Sequence, residues 1–152
     1  MMPLPTGVTG FNVEEQGVDF DLFIQTCREA VSTLKGQVHE TDEAYSDVTP
    51  NFHGAVVSFP DRPERIRIIC NAHHPIIAFC QPPTDPMDIE LRFMDCPQLA
   101  RLLCQRFTVL SAAEAEAGVS SELVARLNDA ELHQMRYWKP ARIGDVIFNP
   151  WD

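Results

Sequence analysis

One short segment of the chain brings thiol and imidazole groups close together. Cys70, His73 and His74 lie within a predicted hairpin, and Cys80 follows in the next predicted strand. Thiolate and imidazole are ligands that zinc prefers, and a Cys-x-x-His spacing suits a tight turn around a metal. Cys80 shares a face with Cys70 only for certain turn lengths, because strand side chains alternate between faces. We favour buried cysteines and exposed turn histidines here, with a metal site at Cys70, His73 and His74 as the alternative.

The C-terminal stretch carries the second group of residues that could do chemistry. His133 and Tyr137 are four residues apart on a predicted helix, so they share one helical face and form a candidate acid/base pair. Both tryptophans, Trp138 and Trp151, lie in the same stretch. Aromatic residues at this density are typical of interaction hot spots and also of aromatic packing. Trp151 lies near the end of the sequence, so we expect it either to dock into a groove or to contact a partner.

Acidic residues are concentrated near the beginning of the chain. The net charge is −10, and residues 1–50 hold nine acidic residues against two basic ones. This concentration of acidic residues creates a negative electrostatic field on one side, which attracts basic surfaces and repels nucleic acid phosphates. Solubility alone would also explain it. We predict a protein partner with a basic surface and no nucleic acid. The predicted partner-binding residues are Glu40, Asp42, Glu43, Asp47 and Trp151.

Familiar catalytic motifs are absent from the sequence. It has no phosphate-binding glycine loop, no Gly-x-Ser-x-Gly elbow and no His-Glu-x-x-His helix. We therefore predict no cofactor and disfavour an enzyme. The leading hypothesis is a small acidic interaction module, similar only in broad class to immunity proteins and secretion chaperones. The alternative is a small enzyme or ligand-binding domain, with a cleft between a sheet and C-terminal helices that uses His133 and Tyr137.

Length and composition indicate one ordinary globular domain. The chain has 152 residues, of which 45% are hydrophobic and 22% charged. No apolar run approaches the ~18 residues that a membrane span needs, so we expect no membrane association. The five cysteines are odd in number and fall mostly on predicted apolar faces. We expect free thiols and, with no secretory signal recognisable, a cytoplasmic location. Self-association stays open.

Hydrophobic periodicity then places the elements. Residues 1–17 are punctuated by proline and glycine and predict an irregular arm, and residues 18–152 form the predicted domain. Apolar residues at helical spacing predict a helix from Phe20 to Leu34, with Gly36 as its left-handed cap. A loop, with room for a short strand, follows it. Four β-rich runs separated by turn signals predict an antiparallel meander. These runs are Phe52–Phe59, Arg65–Asn71, Pro75–Cys80 and Asp88–Met94.

The remaining elements complete the predicted fold. Asp95 is expected to cap a helix, and the segment 107–110 fits either a strand or a helix. Capping patterns predict short helices from Ser111 and from Asn128 to about Tyr137, and a further short helix is predicted between them over 121–127. Residues 142–148 read as a final strand. Grouped strands and grouped helices predict an α+β two-layer sandwich, with an antiparallel meander of four to six strands, helices packed on one face and the other face wet.

Overall fold

The fold is seen in a computed structural model, which describes residues 3–13, 17–44 and 50–151. These residues form five helices and six strands. The helices are α1 (Phe20–Thr33), α2 (Pro97–Leu103), α3 (Ala112–Glu116), α4 (Asp129–Trp138) and α5 (Ile143–Ile147). The strands are β1 (Gln37–Asp42), β2 (Phe52–Phe59), β3 (Arg62–Asn71), β4 (Ile76–Cys80), β5 (Phe93–Met94) and β6 (Thr108–Val109). The predicted α+β class is confirmed.

Helix α1 forms where the apolar spacing predicts it. Its first turn is capped by the Asp19 side chain, which accepts a hydrogen bond from the Asp21 N–H at 2.9 Å. The left-handed residue at its end is Lys35, with φ of 61°, and not Gly36 as predicted. Gly36 is needed for another reason. A Cβ there would lie 2.4 Å from the Ser58 carbonyl oxygen, so only glycine lets the chain pass this close to β2.

The sheet has the order β1-β2-β3-β4-β5, with all these neighbours antiparallel. Strand β6, in the segment whose state the sequence left open, pairs in parallel with β4. Strands β2, β3 and β4 lie close to their predicted positions. The predicted strand Asp88–Met94 is reduced to Phe93–Met94, because the residues before it form part of an exposed loop.

Apolar side chains cover both faces of the central strands. Ile68 and Phe79 belong to a first core cluster with α1 and α2, whereas Ile69 and Ala78 belong to a second cluster with α5. Helices therefore lie on both faces of the sheet, which differs from the expected arrangement with helices on one face and a wet opposite face. The arginines of β3 suggested a wet face, but the residues that follow them in the strand are buried on both sides.

Three predictions near the C-terminal half are wrong. Residues 142–148 are not a strand, because Ile143, Val146 and Ile147 are buried at helical spacing in α5. Residues 121–126 form turns instead of a helix. The Leu123 carbonyl there accepts from the Leu4 N–H at 2.8 Å, and the Leu127 N–H bonds Val124, so the chain closes a tight turn only.

The third wrong prediction concerns the N-cap of α2. The residue at its N-cap is Cys96, which makes no side-chain capping bond. The Asp95 carboxylate instead accepts from the Ala112 N–H at 2.9 Å and so ties the start of α3 to this loop. Helix α4, by contrast, begins after Asn128 with the predicted capping box and ends close to the predicted residue.

Residues 3–13 have no helix or strand and pack against the second cluster. Leu4 and Val8 are buried in it. All five cysteines are free thiols, as predicted, and only Cys104 is exposed. Within the described ranges, no helix is both long enough and apolar enough to cross a bilayer.

Candidate functional site

Strand β1 lies at one end of the sheet and carries the predicted acidic surface. Glu40, Asp42 and the adjoining Glu43 are all exposed. In the part of the chain that the structure describes, β1 pairs with β2 alone, so its outer edge has no strand beside it. The same part of the chain supplies no ion-pair partner to any of the three carboxylates. Asp47, the fourth predicted acid, lies outside the described residues. We call residues 37–43 the acidic edge.

A β-bulge interrupts the acidic edge. Val38 pairs with Val57 and Glu40 pairs with Val56, which leaves His39 as the extra residue. The His39 Nε2 lies 2.6 Å from the Ser58 hydroxyl and holds the bulge against β2. Bulges increase the local twist of an edge strand and so limit pairing with long flat strands. The acidic edge can therefore accept only a short extended segment.

A groove opens beside the start of β1, where α1 passes over it. Its volume is about 330 Å³, at the small end of the range of ligand pockets. The lining residues are Arg28, Val31, Gly36, Gln37 and Val38. This size suits a side chain better than a whole cofactor. The groove and the acidic edge are continuous, because Gln37 and Val38 belong to both.

The structure separates the residues of the predicted metal site. Cys70 is fully buried in the first cluster and its thiol donates to the Asn71 carbonyl at 3.4 Å. Burial raises the pKa of this thiol well above its ordinary value, which opposes the thiolate that a metal needs. The His74 Nε2 bonds the Thr6 carbonyl at 2.8 Å. Among the described residues, no three His, Cys, Asp or Glu side chains are grouped to hold a metal.

Register settles the position of Cys80. Cys70 pairs with Ile77, so Cys80 pairs with Arg67 and lies on the opposite face of the sheet from Cys70. The two cysteines belong to different core clusters. Burial raises the pKa of Cys80 to about 11, although the nearby Arg67 charge acts against this. The two thiols therefore cannot contribute to one site.

His73 is half-buried, and its Nδ1 atom has no hydrogen-bond partner among the residues that the structure describes. Burial lowers the pKa of His73, and the charges of His74 and His53 lower it further, while Glu131 acts in the opposite direction. A Cβ added at Gly10 would lie 3.1 Å from its Nε2 atom, so the N-terminal arm covers the ring. His73 is thus part of the contact between the arm and the β3-β4 turn.

His133 and Tyr137 lie on the exposed side of α4. Tyr137 is 72% exposed, and its ring packs edge-to-face on Trp138 with centroids 5.1 Å apart. Within the part of the chain that the structure describes, no hydrogen bond joins the side chains of His133 and Tyr137. The pair shares a face, as the spacing predicts, but it lies on an open surface. General acid/base groups normally act in a cleft that positions the substrate.

Trp151 is tucked into the protein. It is 6% exposed and belongs to the second cluster. Its ring is parallel to that of Trp138, with centroids 6.4 Å apart. The Trp138 Nε1–H donates to the Gln134 side chain at 2.9 Å. Of the two tryptophans, Trp138 is the one that solvent reaches, since it is 41% exposed.

Sequence reasoning missed a buried polar network that ties the N-terminal arm to the domain. Asn51, Asn71 and Asn149 are buried, and their amide groups bond carbonyls of the arm and of α5. Glu131 is fully buried and accepts hydrogen bonds from Gly7 and Thr9 of the arm. The capping pattern at Asn128 was visible in the sequence, but burial of the carboxylate was not. This network gives the arm a fixed position.

A second missed feature is the loop over residues 81–92. Met87 is 85% exposed and Ile89 is 74% exposed, and both precede the two residues that remain of the predicted strand Asp88–Met94. The loop has internal order, because the Asp88 carboxylate accepts from the Arg92 guanidinium at 2.8 Å. This hydrogen bond is the main cause of the lowered pKa of Asp88. The loop therefore exposes two apolar side chains to solvent, while the Asp88–Arg92 hydrogen bond orders its backbone.

Comparison of the chain with known protein families, with curated proteins and with solved structures finds no match.

Proposed function

We propose that this chain is a protein-interaction module that binds an extended basic segment of a partner along the acidic edge. The observation that carries the proposal is that β1 is an edge strand of the sheet, and that the exposed residues Glu40, Asp42 and Glu43 lie on it or directly after it. An edge strand offers a row of backbone N–H and C=O groups, and an added strand satisfies them. Main-chain bonds supply affinity and the carboxylates select a cationic partner.

The charge of the whole chain supports a basic partner over other partners. A net charge of −10 favours encounter with cations and disfavours nucleic acid. A second copy of the chain is a poor occupant of the acidic edge. Antiparallel pairing of two copies would place Glu40 and Asp42 among like charges, and like charges across strands are destabilising. The five free thiols support a reducing compartment, so we propose that the module acts in the cytoplasm.

The acidic side chains also have a simpler role to be tested against this one. Charged residues on an edge strand prevent sheets from joining edge to edge. A purely protective role needs no partner, whereas the proposed function requires that a basic segment bind at β1 and nowhere else. The experiment must therefore locate the binding as well as detect it.

The test uses a fluorescein-labelled peptide of alternating lysine and threonine, measured by fluorescence anisotropy at several salt concentrations. We expect binding that weakens as salt rises, because the Debye length is only ~8 Å at physiological ionic strength. Replacing Glu40 by Gln, Asp42 by Asn and Glu43 by Gln together should weaken binding by about tenfold, since each exposed pair is worth ~0.2–1 kcal/mol. Amide hydrogens of β1 should exchange more slowly when the peptide is bound.

A control variant with the same net charge distinguishes an effect of where the acidic residues lie from an effect of their total charge. It neutralises three exposed acids elsewhere, namely Asp61, Glu122 and Asp129. This variant should bind the peptide with nearly wild-type affinity. A peptide methylated on alternate backbone nitrogens should bind weakly, because it cannot form the main-chain ladder. Equal loss in both variants, or unchanged β1 exchange, would refute binding at the acidic edge. If the wild type does not bind the peptide and the β1 variant self-associates, the acidic residues only protect the edge and the proposed function is refuted.

A further inference from the structure

The two faces of β1 differ in chemistry. Val38 pairs with Val57 and packs on the first cluster, and Thr41 pairs with Ala55 of the same cluster. Residues paired across an antiparallel ladder lie on the same face. Val38 and Thr41 therefore face α1. This side of β1 is apolar or neutral and leads directly into the groove.

The acidic side chains lie on the opposite face. Glu40 pairs with Val56 and Asp42 pairs with Gly54, the residues of β2 that alternate with the cluster residues. Two residues along a strand span about 7 Å, so the two carboxylates repeat with the period of one face. A segment added outside β1 would have every second side chain on this acidic face. The side chains between them would point toward α1.

The groove discriminates against charge on the α1 side. Val31 and Val38 provide apolar walls, and the exposed Arg28 stands at the rim. A lysine or arginine directed into the groove would meet the Arg28 guanidinium and lose its water. A small apolar side chain would instead bury its surface against the two valines. Cations are therefore favoured on one face only.

From this two-faced edge we propose the sequence class of the partner, an inference that rests on the proposed function. The bound segment alternates basic and small apolar residues with a period of two. Its basic side chains lie beside Glu40 and Asp42. One apolar side chain enters the groove next to Val38. Specificity thus comes from the alternation, whereas a cluster of positive charge alone gives only weak, salt-sensitive binding.

Two peptides of equal composition test the proposal. One alternates four lysines with four valines, and the other has the four lysines first and the four valines last. The alternating peptide should bind about threefold to tenfold more tightly, because the open groove buries only part of a valine-sized side chain, whose full burial would contribute about one to two factors of ten in affinity. The difference should persist at high salt, since apolar burial is not screened.

Two variants locate the effect in the groove. Val38→Lys puts a cation beside the groove and should remove the preference for the alternating peptide. Gln25→Lys adds the same charge on the exposed side of α1, outside the groove lining, and should preserve the preference. Arg28→Glu changes an exposed residue of α1. It should also reduce the preference for the alternating peptide, because glutamate at this position does not repel a lysine side chain in the groove. This second groove variant keeps the test valid if Val38→Lys does not fold.

Each result has a distinct meaning. Equal, salt-sensitive binding of both peptides with slower exchange at β1 would overturn the alternation and leave the proposed function standing. No binding of either peptide would overturn both. A preference that survives Arg28→Glu, together with Val38→Lys where that variant folds, would overturn the role of the groove. A preference lost in the groove variants but kept in Gln25→Lys is the expected result.

Discussion

The buried carboxylate of Glu131 provides the sharpest test of how the N-terminal arm is held. Its oxygens accept hydrogen bonds from the Gly7 N–H at 2.8 Å, from the Thr9 N–H at 2.9 Å and from the Thr9 hydroxyl. It also closes the capping box with the Asn128 N–H at 3.2 Å. The residue is fully buried, so water cannot replace these bonds. The carboxylate therefore joins the arm to the start of α4.

Glu131→Ala should destabilise the fold strongly. It leaves the N–H groups of Gly7 and Thr9 without their acceptor, and a buried donor without a partner costs about 1–3 kcal/mol. Two such donors give about 2–6 kcal/mol, and the lost helix cap adds about 1 kcal/mol. We expect a loss near 4 kcal/mol in the free energy of unfolding, measured by urea denaturation. Amide exchange in residues 3–13 should accelerate more than in β2 or β3.

Helix α3 supplies a matched control for this change. Glu114 occupies the same capping-box position there, with the Ser111 N–H at 3.0 Å, but its side chain is exposed. Glu114→Ala should cost about 1 kcal/mol or less, because water can solvate the freed group. If both variants lose the same stability, the capping box alone explains Glu131 and the arm is not held by it. Unchanged exchange in residues 3–13 would lead to the same conclusion.

Three further predictions concern the core and its titratable groups. Phe23→Ala should cost ~3–5 kcal/mol through cavity formation, whereas Gln25→Ala on the exposed face should cost less than about 0.5 kcal/mol, as denaturant melts will show. If the two variants were equally stable, Phe23 and Gln25 would not lie on the buried and exposed faces of α1. The pKa of His73 is lowered in the fold, so the unfolded chain takes up its proton first and stability should fall as pH drops below 6.5. His73→Asn should flatten this loss between pH 7 and 5, measured by thermal melting, while exposed His133→Asn should retain it. A thiol reagent should modify Cys104 rapidly in the native protein and all five cysteines only after unfolding, because the other four are buried. Rapid native labelling of a second thiol would contradict the described packing.

Local patterns in the sequence were sufficient for much of the fold. Apolar residues at helical spacing, with Asp19 before them, predict α1 because such a stripe must be buried on one side. The capping pattern at Asn128 predicts α4 because it satisfies the free N–H groups of a first turn. Strands β2 and β3 follow from β-rich runs between turn signals. These signals act over a few residues, so one sequence is enough to recognise them.

Short elements were predicted poorly because contacts from distant residues decide them. Residues 142–148 suit a strand or a helix by propensity, and α5 forms because its apolar side chains fill the second cluster. The turn at 121–126 is bonded to the N-terminal arm, because the Leu123 carbonyl accepts from the Leu4 N–H, more than a hundred residues away. A few residues rarely carry enough local preference to resist such contacts.

The acidic character of the first third of the chain, and the residues that carry it, can be read from the order of amino acids alone. Only the tertiary structure placed Glu40 and Asp42 on one face of a terminal strand, with Val38 on the other face beside a groove. The register of β1 against β2, including its bulge, decides which side chains share a face. In the same way, the pairing of Cys70 with Ile77 placed Cys70 and Cys80 on opposite faces. Register depends on which distant residues pack together, since a shift of one residue exchanges the two faces of a strand.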